Sequence, residues 1–111
     1  MGRALTGPAA AVLLVTSVVL AGCAHVSDDD AQACDYLFGK QDSSLGEDLP
    51  ALEEIVDRLG PVAQGDTLSA DLRPYVERVV SDAQRLVDGG RARYLDLHVL
   101  DALSVCMDQG W

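Results

Sequence analysis

The chain contains no asparagine, one isoleucine, one lysine and two histidines in 111 residues. Two histidines leave little room for imidazole acid–base chemistry or for a His-built metal site. Positive charge is scarce too. Eight Lys+Arg stand against 18 Asp+Glu, a formal net charge of −10, which argues against a nucleic-acid partner that Lys and Arg must neutralise. Five aromatic residues are too few for a stacking surface or an aromatic cage. There is no Gly-rich phosphate loop, no Cys-x-x-Cys, no internal repeat, no low-complexity segment and no sustained strand-type alternation. At 11.8 kDa the chain has room for one domain, which excludes a multidomain enzyme. Apolar residues nevertheless make up 49%, so a disordered acidic tail is a poor description.

What is present begins with an address. Residues 1–22 carry a single charge, Arg3, followed by an apolar run from Pro8 to Ala21 broken only by Thr16 and Ser17. That is a charged n-region and an h-region of secretory type. A transmembrane helix needs roughly 20 apolar residues to cross about 30 Å of hydrocarbon, so removal is expected rather than insertion. Directly behind the run stands Leu20-Ala21-Gly22-Cys23. These four residues resemble the lipobox of bacterial lipoproteins. The resemblance implies that the Cys23 thiol receives a diacylglyceryl group and that Leu20, Ala21 and Gly22 are read by the signal peptidase. Cleavage between Gly22 and Cys23 then makes Cys23 the first mature residue. The plain alternative is an ordinary signal peptide with Cys23 as an incidental thiol. Met1-Gly2-Arg3-Ala4-Leu5-Thr6 also fits the loose N-myristoylation pattern, but the apolar run behind it marks export. No twin-Arg pair precedes the run, so the general secretory route is expected. One Lys against seven Arg, with abundant Ala, Val, Gly and Asp, resembles the small lipoproteins of high-GC Gram-positive bacteria.

The expected organisation is a removed leader over 1–22, a lipidated Cys23 with a short tether over 23–27, and a folded domain over 28–111. The 89 residues from Cys23 to Trp111 are few enough that the core needs help. If Cys23 carries lipid, Cys34 and Cys106 remain, and outside the cytoplasm such a pair is expected to form a disulfide. A two-Cys metal site and two buried free thiols are the alternatives. No further Cys or His stands at ligand spacing.

Four stretches show helical spacing. The first opens after Ser27 with Asp28, Asp29 and Asp30 in its first turn, presents Ala31, Cys34, Leu37 and Phe38, and meets a stop at Gly39. The Asp triplet is read as a helix start; a calcium loop would alternate its acids around a turn Gly. The second shows Leu45, Leu49, Leu52, Val56 and Leu59 on one face with Ile55 beside it, Pro50 in the first turn and Gly60-Pro61 as its end. Gly60 to Leu68 is expected to be loop. The third starts near Ser69 or Asp71 and runs to Val87. Leu72, Tyr75, Val76, Val79, Val80, Ala83, Leu86 and Val87 face inward; Arg73, Glu77, Arg78, Asp82 and Arg85 face outward. After Gly89-Gly90 the last helix is expected over Arg91 to Asp108, with Ala92, Leu95, Val99, Ala102, Leu103, Cys106 and Met107 as its stripe. Leu97 and Leu100 widen that apolar surface, which makes this the central helix or gives it a patch for a partner; the central position is the simpler expectation. The fold class is therefore all-α, a small antiparallel bundle of three to four helices stapled by one disulfide.

Chemistry is sparse. His98 has Tyr94 four residues before it and Asp101 three after, so the three share a helix face, yet no nucleophile stands beside them. Carboxylates are scattered rather than paired. No catalytic residues, metal site or cofactor are assigned, and an enzyme is not expected. The leading expectation is a non-enzymatic lipoprotein, anchored to the extracytoplasmic face of the cell membrane, whose domain binds an envelope protein with a basic patch. The alternative is a small carrier or sensor that holds an apolar ligand between helices, lined by Phe38, Tyr75, Leu97 or Leu100. Without Arg3 the mature part carries a net charge of −11. Anionic lipid would repel it within a Debye length of about 8 Å, so a domain on the five-residue tether Cys23 to Ser27 is expected to stand up from the surface.

Overall fold

Ser27 sets the first helix. Its hydroxyl accepts from the Asp30 backbone N–H at 3.2 Å, and Asp28, Asp29 and Asp30 fill the first turn, where carboxylates meet the positive end of the helix dipole. In a computed structural model, which describes residues 26–111, helix α1 spans Asp28–Phe38. A short 3₁₀ turn follows at Leu45–Glu47, then α2 over Leu49–Gln64, α3 over Arg73–Val87 and α4 over Leu95–Asp108. The described residues form an all-α bundle of four helices without strands. Leu20, Ala21, Gly22 and Cys23 lie outside them. None of the described helices is long and apolar enough to cross a membrane.

Packing runs in the order α2, α3, α4, α1, with the 3₁₀ turn wedged against α2 and α4 through buried Leu45. One core results. It draws Cys34 and Leu37 from α1, Leu52, Ile55 and Leu59 from α2, Val76, Val79 and Ala83 from α3, and Val99, Ala102, Leu103 and Cys106 from α4. The sulfurs of Cys34 and Cys106 are bonded, with Cα atoms 6.0 Å apart, and both residues are fully buried. This resolves the three readings of the cysteine pair in favour of the disulfide. A second tie holds the same two helices at the end where α1 begins. Asp30 Oδ1 accepts from Ser69 N–H at 2.9 Å, and Gln109 Nε2 donates to Ser69 Oγ at 2.9 Å. Trp111 completes the attachment: its indole N–H donates to Asp35 at 2.8 Å and its ring meets Phe38 with centroids 5.7 Å apart.

Several expected boundaries move, each for an identifiable reason. Gly60-Pro61 does not end α2, which continues to Gln64. Proline in a helix interior costs about 3 kcal/mol through a lost hydrogen bond and a clash. Here the extra turn buries Ala63, and Gly60, itself buried, faces α3. A Cβ on Gly60 would lie 4.0 Å from the Val80 side chain. The connection to α3 shrinks to the stretch from Gly65 to Leu72. Ser69 caps it: its hydroxyl accepts from Leu72 N–H and its carbonyl from Arg73 N–H, so a turn precedes α3 at the start expected from sequence. The last helix begins at Leu95 rather than Arg91. No side chain caps it, and helical structure starts only where Leu95 enters the core.

Two glycines work as left-handed C-caps, Gly89 at the stop expected from sequence and Gly110 near the chain's end. At Gly89, with φ 86°, Gly90 N–H reaches back to Arg85 O; at Gly110, with φ 88°, Trp111 N–H reaches back to Cys106 O. The second cap is what folds Trp111 onto α1.

The bridge spans a sequence separation of 72, and closing such a loop in the unfolded chain is worth about 4 kcal/mol in the chain-entropy picture. Cys106→Ser should lower the melting temperature of the oxidised protein by well over about 10 °C, or unfold it, as followed by circular dichroism. A melting curve that coincides with that of the unmodified protein would remove the bridge as the main staple.

Candidate functional site

Two carboxylates occupy core positions of helices read from sequence as carrying only apolar residues there. On α1 the buried seam is Asp30, Ala33, Cys34 and Leu37, spaced i, i+3, i+4, i+7, in place of Ala31, Cys34, Leu37 and Phe38. Asp30 is 2% exposed, and beyond its place in the helix start it anchors Ser69 across the bundle. On α3 it is Asp82, at 6% exposure, that turns inward, against the expectation that it faces solvent. Its position three residues after Val79 places it on the edge of the inner face.

The partner of Asp82 is His98 on α4. His98 Nδ1 donates to Asp82 Oδ2, and the Arg85 guanidinium stands 4.0 Å from the other carboxylate oxygen. The grouping of Tyr94, His98 and Asp101 expected from sequence is thus replaced by one that crosses between helices. Tyr94 keeps a loose contact, its ring centroid 6.3 Å from that of His98. A carboxylate on Nδ1 orients an imidazole and leaves Nε2 as its free nitrogen, the arrangement of a general base. Among the described residues no hydroxyl or thiol hydrogen-bonds to that nitrogen. No three His, Cys, Asp or Glu side chains among them converge for a metal ion. What the pair does here is give buried Asp82 a hydrogen-bond partner and clamp α3 to α4.

A second polar cluster joins α1 to α2. Tyr36 donates to Glu54 Oε1 at 2.9 Å, and Lys40 Nζ meets the same oxygen at 3.1 Å. Lys40 and Arg58 also stand over the Tyr36 ring, 5.1 Å and 5.7 Å from its centroid. Burial, and then the hydrogen bond to Glu54, push the Tyr36 hydroxyl above its ordinary range. The Lys40 and Tyr36 hydrogen bonds hold the exposed Glu54 carboxyl below its own. In the following loop Asp42 accepts from the Ser44 N–H and hydroxyl, which likewise lowers its carboxyl. Both clusters are bonded within themselves and fix helix positions.

The outer face of α4 is different. Helix α4 packs between α3 and α1 and against the 3₁₀ turn, but Leu97 and Leu100 are 52% and 49% exposed, so its wider apolar surface points outward. Met107, expected in the core stripe, is 65% exposed. With Tyr94 these residues form a second seam along α4, Tyr94, Leu97, Leu100, Ser104 and Met107, spaced three, three, four and three. The core seam of Leu95, Val99, Ala102, Leu103 and Cys106 occupies another side of the same helix. Beside Leu100 the loop after α1 forms a hollow of about 260 Å³, lined by Lys40, Gln41, Asp42, Ser43, Asp96 and Leu100. The residues proposed to line a ligand space do not gather around one. Phe38, Leu97 and Leu100 face solvent, and Tyr75 is half-buried on α3.

No protein-family model, no curated protein and no solved structure matches the chain.

Removing the hydrogen-bond partner of a buried polar group leaves that group unsatisfied, at about 1–3 kcal/mol. His98→Ala should therefore lower the melting temperature by roughly 5–15 °C, and Asp82→Ala in the same background should restore part of it. A His98→Ala protein that melts within about 2 °C of the parent would mean that Asp82 is solvated and the clamp is not one.

Proposed function

We propose that the chain is a bacterial lipoprotein, held on the extracytoplasmic face of the cell membrane by lipid on Cys23, whose helical domain has a non-enzymatic role as a docking module for an envelope protein with a basic patch. The observation that carries the reading is the tetrad Leu20-Ala21-Gly22-Cys23 behind an apolar run, with only three residues between it and the Ser27 cap of α1. The disulfide supports it, because such bonds persist where the environment is oxidising. The electrostatics support it as well. The end of the bundle at which α1 begins gathers Asp30, Asp71 and Asp108 around Ser27 and Ser69. An acidic end next to an anionic membrane favours a domain that stands off the surface, with its sides open to partners. Docking rather than catalysis fits a molecule whose polar clusters are bonded inward and whose apolar excess lies on one exposed helix face.

The intact mass of detergent-extracted protein from a bacterial host, before and after reduction, tests the anchor. The expected mass is that of the 89 residues from Cys23 to Trp111 plus a diacylglyceryl group, rising on reduction by the hydrogens of a single disulfide. A cleaved mass without lipid would overturn the anchor and make the domain a secreted one.

A further inference from the structure

The outer seam of α4 has the chemistry of one half of a helix–helix interface. Tyr94, Leu97, Leu100, Ser104 and Met107 lie on one line along the helix, over about 20 Å at 1.5 Å per residue. Acids stand on both sides of it, Asp96 on one flank and Asp101 and Asp108 on the other. From Tyr94 to Trp111 the chain has no lysine or arginine, so nothing on this helix offsets them. The hollow beside Leu100 deepens the surface at one place; Asp42 and Asp96 line it along with Lys40, whose ammonium is engaged by Glu54.

We infer that this seam binds a cationic amphipathic helix of a partner protein, with the partner's apolar face on Leu97, Leu100 and Met107 and its Lys or Arg flanks against Asp96, Asp101 and Asp108. The inference rests on the docking reading above and gives it a surface and a ligand class. Charge decides between the possible occupants. A second copy of the chain is disfavoured, since the midpoint of the seam falls at Leu100 and Asp101, and a two-fold contact would set Asp101 against its own copy. An anionic lipid surface is disfavoured by the same three carboxylates. A helix with basic flanks instead turns each into a favourable contact, and steers its own approach.

The test uses the full mature chain in phosphatidylcholine nanodiscs, with empty nanodiscs as the blank. The probes are a synthetic three-heptad helix with Leu on one face and Lys on the flanks, and its Leu/Glu counterpart. Saturable binding of the Leu/Lys helix is expected, with amide exchange slowed over Leu95–Asp108 and no binding of the Leu/Glu helix. The double variant Leu97→Ser, Leu100→Ser should weaken binding roughly tenfold or more, while Leu49→Ser, an equally exposed leucine on α2, should stay within about twofold. Asp96→Asn with Asp101→Asn should weaken it severalfold at low salt, the difference closing as salt rises. All these side chains are partly or fully exposed, so the melting temperatures should hold and a loss of fold cannot imitate the result. Binding that ignores Leu97→Ser, Leu100→Ser, equal binding of the Leu/Glu helix, or a dimer dispersed by the double variant would overturn the inference. Salt-sensitive binding of the Leu/Lys helix on another face would overturn this surface and leave the docking module standing. The lipid anchor is read separately, by mass.

Discussion

The covalent bond between Cys34 and Cys106 is the constraint on which the remaining structure depends. Helix α1 packs mainly on α4, whereas α2 and α3 make the broadest contact with each other. A short helix at the edge of a small bundle buries too little apolar surface to hold itself there. The disulfide fastens it at the middle, the Asp30–Ser69–Gln109 links fasten its beginning, and Trp111 closes over its last turns. Each of these ties uses a polar or covalent device where a larger domain would use more leucines.

That economy explains where sequence and structure part. The four helices, the Ser27 cap, the stop at Gly89-Gly90 and the pairing of the cysteines were legible, because each rests on local rules: periodic apolar residues, a hydroxyl before an acidic turn, a glycine at a left-handed position. The end of α2 was not. A Gly-Pro pair is locally a stop, and only the burial of Ala63 in the assembled bundle makes the extra turn worthwhile. The inward positions of Asp30 and Asp82 were hidden for a related reason. Both stand at core spacing, Asp30 three residues before Ala33 and Asp82 three after Val79, but a pattern read by hydropathy passes over a carboxylate. Their partners, Ser69 N–H and His98, are 39 and 16 residues away and become visible only in three dimensions.

The candidate surface was legible in part. Leu97 and Leu100 stood out as apolar residues beyond one stripe, which allowed either a central helix or an exposed patch. The structure shows both, a helix packed between α3 and α1 and an exposed patch upon it, because the core side of α4 is already filled by Leu95, Val99, Ala102, Leu103 and Cys106. Met107 went unnoticed as part of the outer line since one residue earlier Cys106 occupies the core. The His98 grouping was found with the wrong acid, as Asp101 is near in sequence while Asp82 is near in space.

The bridge also determines how the molecule carries mechanical load. A pull on the amino end of α1 reaches α4 through a covalent bond after Cys34, and from there the few residues beyond Cys106. Helices α2 and α3 lie within the closed loop and outside the line of tension. Stretching the chain between its two ends can therefore extend only the segments outside the two cysteines, and Tyr94, Leu97, Leu100 and Ser104, which precede Cys106, keep their places on α4 while the chain is under tension.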